Sequence, residues 1–179
     1  NNMQYLLKIS IENTNCWRLI AVDGQADLAH VAELIALAFD YEASKQSFIV
    51  KDKTVTCGKG GEPLETRELN AFDSLNLSLN DEFYFQHESN KLLKHKVLVM
   101  KKEDHLYCLM PSCLVGSLVV PKEPNLTAQT INQYADSDEI ISLDLRAVTN
   151  RLRAYGSLRK DLNQAMINAG AEPIVFKGK

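Results

Sequence analysis

Strict alternation over Tyr5–Glu12 constrains this chain more than any other feature. Tyr5, Leu7, Ile9 and Ile11 fall on one side, and Lys8, Ser10 and Glu12 on the other. A period of two marks a strand with one face buried. A second apolar run, Trp17–Val22, follows Asn13-Thr14-Asn15. Asparagine tolerates the left-handed conformations of tight turns, so the two runs predict a hairpin. Asp27 then fits a helix N-cap, because its carboxylate can accept from free amides of the first turn. Leu28, Val31, Ile35, Ala38 and Phe39 recur at helical spacing, Leu34 widens the stripe, and Glu33 and Asp40 lie off it. This helix is expected to pack on the Tyr5–Ile11 face. Phe48, Val50 and Val55 predict a further strand, so the chain opens β-β-α-β.

Beyond it, Cys57–Gly61 reads as a flexible loop. Leu75, Leu77 and Leu79 alternate with Asn and Ser like a half-buried extended segment. Phe83–Phe85 predicts a short strand. Leu92–Met100 and Leu106–Met110 predict two more, joined as a hairpin through the charged turn Lys101-Lys102-Glu103-Asp104. After Pro111 the pattern becomes helical: Thr127–Tyr134, then Asp144–Ala169 with Gly156 as an interruption and Gly170 as its cap. Strands outnumber crossover helices, which argues against a doubly wound parallel sheet. The expected fold is α+β: a mixed or antiparallel sheet with one helix packed on it over residues 3–121, and a C-terminal helical extension over 122–179 packed on that sheet.

The length of 179 residues can bury a sizeable core without staples. A net charge of −3 leaves no global attraction for nucleic acid or anionic membrane, so any such binding needs a local basic patch. No apolar run reaches the ~20 residues that span a bilayer, and no signal-peptide pattern opens the chain. The chain therefore reads as cytoplasmic, with Cys16, Cys57, Cys108 and Cys113 reduced. Export would instead permit two disulfides in any of three pairings.

His105, Cys108 and Cys113, with His95 across the expected hairpin, form the densest set of potential metal ligands. The spacing is not that of a zinc knuckle, and on a strand His105 and Cys108 point to opposite faces. Buried thiols and an exposed turn histidine are the plainer reading. No cysteine sits in a nucleophile motif, and Cys57–Gly61 lacks the Gly-Lys-Ser/Thr and following helix of a phosphate loop. Asp136–Glu139 is acidic without calcium-loop spacing. These residues call for no cofactor.

Two basic features remain. The C-terminal helix concentrates Arg146, Arg151, Arg153, Arg159 and Lys160, with Leu145, Val148, Leu152, Tyr155, Leu158 and Leu162 as its apolar side. Such a helix can lie along phosphates, or dock on the sheet with its arginines solvated or paired. In Trp17-Arg18 the Trp suits the core, which turns Arg18 to the other face, where it could hold an anion or carboxylate.

Tyr5–Ile9, Trp17-Arg18, Ala38-Phe39-Asp40-Tyr41 and Phe48 together resemble the opening of the plasmid pRiA ORF-three-like family, some members of which are insertion-element TnpR passengers. Asp81–Phe85, Val97–Val99, Pro111, Gly116 and Pro121 extend the resemblance across Met3–Pro121. Gln86-His87-Glu88-Ser89-Asn90 stands where members carry Asp-Phe-Gly-Asp with a following Trp and His. Lys45-Gln46-Ser47 replaces a His-Leu-His, and Lys122-Glu123-Pro124-Asn125 an acidic, glycine-rich segment. The resemblance implies a shared scaffold without those residues, and a link to mobile DNA. The functional expectation is a non-catalytic binding or accessory module with a protein partner and no membrane. The alternatives are a metal-dependent enzyme using the His/Cys set, and nucleic-acid binding through the basic helix.

Overall fold

The N-terminal alternation folds as a strand whose inner residues Tyr5, Leu7, Ile9 and Ile11 are wholly buried. The structure is a computed structural model and describes residues 2–170. Its strands are β1 (Gln4–Ile11), β2 (Trp17–Asp23), β3 (Gln46–Val50), β4 (Lys53–Cys57), β5 (Glu82–His87), β6 (His95–Glu103) and β7 (Ser112–Gly116). Its helices are α1 (Leu28–Ala38), α2 (Ala128–Ala135) and α3 (Leu145–Asn168). The strands form one sheet in the order β4-β3-β5-β6-β1-β2-β7, with every pairing antiparallel. The fold is therefore α+β with a purely antiparallel sheet. Among the described residues no helix is long and apolar enough to cross a membrane.

Asp27 caps α1 by accepting from His30 N at 2.7 Å. Ala36 O accepts from Tyr41 N and Leu37 O from Asp40 N, both at 3.0 Å, with Asp40 at φ +59°. That closes the helix with a Schellman turn built on Asp rather than Gly. The helix is buried on nearly every side, not along one stripe, and the expectation that Glu33 lies off the buried face is corrected. Gln46 Nε2 donates to Glu33 Oε1 at 3.0 Å, and burial pushes the Glu33 carboxyl up. Tyr5 OH donates to Asp73 Oδ1 at 2.5 Å and ties residues 66–75 to the sheet.

The expected hairpin of Leu92–Met100 with Leu106–Met110 does not form. Strand β6 pairs with β1 along its length and with β5 over His95–Leu98, and β7 begins at Ser112 and pairs with β2. Residues 104–111 are an irregular crossing, held where Gln4 Oε1 accepts from Leu106 N. Their apolar run misleads because Tyr107 and Leu109 are 95% and 70% exposed. Leu75 ends a 3-10 turn, Leu77 is buried and Leu79 is exposed, so that segment is no strand either.

Helix α3 runs unbroken through Gly156. Thr149 Oγ1 accepts from Cys113 N at 3.0 Å and donates to Cys113 O at 3.3 Å. A helix thus covers the outer edge of β7, a position that would otherwise expose unpaired backbone groups. Val148 and Leu152 join the sheet and α1 in one hydrophobic cluster, together with Ile131 of α2. Leu158 is exposed, against expectation. The side chain of Leu162 and residues 171–179, assigned to the helical extension, lie outside the described residues.

Trp17 and Arg18 sit opposite to expectation. Arg18 shares the inner face with Ile20 and Val22 and is 1% exposed, while Trp17 stands on the open face beneath the Lys8 ammonium. Arg18 Nε donates to Ala38 O at 2.8 Å. Its Nη1 donates to Trp17 O and Ser117 O, and its Nη2 to Leu118 O. The guanidinium lies 4.8 Å from the centre of the Phe39 ring. Burial lowers its pKa, yet a guanidinium stays charged in a protein, and four carbonyls replace the water it lost. Replacing it with Met strands those carbonyls. Arg18→Met is expected to cost about 3 kcal/mol or more of stability, read as a lower urea midpoint. A midpoint equal to wild type would mean that water reaches the end of α1.

Candidate functional site

The four expected metal ligands are not brought together. His95 is fully buried, with its Nε2 2.7 Å from Tyr41 OH and the Phe39 and Phe85 rings 5.5 Å away. Cys113 lies on β7 with its Sγ 3.5 Å from Val115 O. Burial pushes its thiol up against the opposing influence of Arg18. His105 and Cys108 lie in the irregular crossing, where His105 meets the Tyr107 ring edge-on. Among the described residues no group of three His, Cys, Asp or Glu could hold a metal ion.

The basic helix divides by angle. Arg159 turns inward: its Nη2 meets Asp27 Oδ2 at 2.8 Å and its Nη1 donates to Tyr155 OH at 2.8 Å, both charges being almost fully buried. Burial pushes the Asp27 carboxyl up, opposed by Arg159 and the His30 amide. Arg151 Nε donates to Leu37 O at 3.1 Å and approaches Asp40 at 3.6 Å. These two arginines therefore hold the two ends of α1, and α3 runs antiparallel to it. Nearby, Glu68 accepts from the backbone of Gly58, Leu64 and Glu65, fixing the 57–65 loop. Gly61, at φ +80°, touches this layer so closely that a Cβ would stand 2.0 Å from the Tyr155 hydroxyl. Sequence reasoning missed Glu68 and Glu33 as buried groups, since neither falls on an apolar period.

Arg146, Arg153 and Lys160 remain exposed and make no ion pair among the described residues. Seven-residue steps place them in one row along α3, each step rising about 10.5 Å. Beside that row opens a groove of about 960 Å³ between α1, α3 and the 109–111 segment. Leu34, Leu109, Met110 and Pro111 supply its apolar walls, and Arg153 and Lys160 its charge. Ser157 and Gly156 occupy the intervening turn. A Cβ on Gly156 would meet nothing nearer than Pro111 at 3.8 Å, so the backbone does not require glycine there. Glycine costs the helix about 1 kcal/mol relative to alanine, and it leaves the groove open. Volume and mixed lining match ordinary binding clefts. The seven-residue cation spacing was the signal for this surface in the sequence.

A second cavity, of about 550 Å³, lies between residues 39–42, 89–90 and 120–126. Its lysine is already committed, because Lys122 Nζ pairs with Asp40 at 3.2 Å and donates to Asp40 O.

No protein-family model matches the chain, and no curated protein matches it. Among solved structures, the crystal structure of a protein of unknown function from Methanosarcina mazei Go1 is similar, with a TM-score of 0.61 and 17% identity. The match covers 82% of this chain and 97% of that one. At that identity the likeness shows the fold alone.

His30 and His95 yield a pH prediction. Burial pushes each imidazole down to about 3, with Arg159 adding to the effect at His30 and His87 at His95. Unfolded imidazoles titrate near pH ~6.5. Between these values the unfolded chain binds protons that the folded chain does not. Their contribution is therefore complete above the unfolded value and is lost as pH falls toward about 3. The slope is up to ~1.4 kcal/mol per pH unit for each histidine. Urea midpoints measured from about pH 7.5 to about pH 4.5 should fall, and should fall less steeply in His95→Phe. Identical slopes would show that His95 exchanges protons freely in the folded state.

Proposed function

We propose that this chain is a non-catalytic, cytoplasmic binding module, accessory to a protein partner, with the groove beside α3 as its contact surface. The observation that carries this reading is the division of the ionisable groups. Several suited to chemistry are locked inside: His95 on Tyr41, Arg18 on four carbonyls, Arg159 on Asp27. Burial holds the inner histidines below, and the buried thiols above, the range where a general base or thiolate nucleophile works near neutrality. Two cations left exposed on α3, Arg153 and Lys160, instead line an apolar groove. The resemblance to the plasmid ORF-three-like family supports an accessory role beside mobile DNA. Direct nucleic-acid binding through α3 is the second reading. It draws on the Arg146–Arg153–Lys160 row, but Arg151 and Arg159 are turned away from any such surface.

Crosslinked capture from source cells tests the proposal. Immobilised wild type should retain one partner in near-stoichiometric yield, and Arg153→Glu/Lys160→Glu should retain roughly tenfold less of it. Equal recovery of the same proteins on both would remove the groove from the contact surface, and recovery of none on either would remove the partner.

A further inference from the structure

The groove beside α3 has a chemistry that selects its occupant, on the premise that the chain is a binding module. We infer that it seats an acidic, amphipathic segment of a partner protein, with aliphatic side chains against Leu109, Met110 and Pro111, and carboxylates on Arg153 and Lys160.

Four observations converge on this occupant. Arg153 and Lys160 are exposed cations one heptad apart on one flank of α3, and neither has an acidic neighbour in bonding range among the described residues. Their rise of about 10.5 Å matches carboxylates at i and i+7 of a partner helix laid along the groove. Leu109, in the groove wall, is mostly exposed, and Tyr107, two residues earlier, almost wholly so. Exposed apolar surface of that kind suits a polypeptide better than a phosphate backbone. Met110 adds a side chain that adapts to irregular apolar partners.

The remaining charges set the orientation. Asp23 also lines the groove, its carboxylate accepting from Gln25 N at 2.9 Å. An acidic edge is therefore repelled near Asp23 and drawn to Arg153 and Lys160, which leaves the aliphatic edge against residues 109–111. The net charge of −3 also opposes a polyanion over the molecule as a whole, while a short acidic segment meets only the local field.

Two synthetic helical peptides sharing one leucine face test the inference, one with glutamates spaced i, i+7 at its edge and the other with lysines there. A short DNA duplex is the third probe. Fluorescence anisotropy with the full chain should show the glutamate peptide binding roughly tenfold tighter than the lysine peptide. Arg153→Glu/Lys160→Glu should reverse that preference. Gly156→Leu should weaken the glutamate peptide roughly tenfold with both cations intact, because it fills the groove. Lys160→Glu alone, at an exposed site, keeps the comparison open if another variant misfolds, and thermal melts report folding. Equal affinity for both peptides, or indifference to Gly156→Leu, overturns the inference. Tighter binding of duplex, falling steeply with salt, overturns it in favour of nucleic acid. If neither peptide binds while wild type and Gly156→Leu both still capture the cellular partner, the groove inference fails and the binding-module reading survives.

Discussion

A helix buried on nearly every side must find partners for its end groups inside the protein, and α1 does so through three arginines. The last carbonyls of a helix have no intrahelical donor, and water is the usual substitute. Here Arg18 serves Ala38 O and Arg151 serves Leu37 O, so two cations lie at the negative end of the helix dipole. At the other end Asp27 serves the His30 amide, and Arg159 neutralises Asp27. Arg18 comes from β2, while Arg151 and Arg159 come from α3. The burial of one helix thereby fastens the N-terminal hairpin and the C-terminal helix into one body.

That requirement also shapes the candidate site. To reach both ends of α1, α3 must lie antiparallel to it, and Thr149 fixes α3 against the edge of β7. Val148, Leu152 and Arg159 take its inner side and Arg151 one flank, while Thr149 meets β7 at the start of the other flank. Further along that flank, Arg153, Gly156 and Lys160, with Ser157 beside them, are left over the space between α1 and residues 109–111. The groove is thus the gap that remains once the internal arginines are satisfied. Its cations are exposed because nothing inside the fold asks for them.

Legibility in the sequence followed how local each cause was. The alternation of Tyr5–Ile11, the Asp27 cap, the short helix at 127–134 and the long C-terminal helix depend on neighbours in the chain, and the structure carries each of these elements, with Thr127 as a cap and Gly156 inside an unbroken helix. Strand β2 was harder. Trp17, Leu19 and Ala21 are as apolar on one parity as Ile20 and Val22 are on the other, so composition could not say which face Arg18 takes. The Arg18 acceptors at Ala38, Ser117 and Leu118 are 20, 99 and 100 residues away, beyond any local pattern. Residues 106–110 failed for the converse reason. Their apolar run is real, but β1 pairs along β6 and β5 along His95–Leu98, and the chain leaves β6 to pair with β2 as β7. A strand needs a partner edge as well as apolar residues.

The five basic residues of the C-terminal helix show why charge counts alone misled. Read together, Arg146, Arg151, Arg153, Arg159 and Lys160 suggest one cationic face. Resolved at about 100° per residue, they separate into two sets. Arg151 and Arg159 lie beside the Val148–Leu152–Tyr155 stripe and are drawn into the structure, where carbonyls and Asp27 compensate their desolvation. Arg146, Arg153 and Lys160 keep a heptad step and stay outside, where their charge costs nothing to solvate. The helix period therefore divides structural arginines from those available for recognition before any contact is known. A paired, buried charge fixes the fold, whereas an unpaired, exposed one with an apolar wall beside it can select a partner.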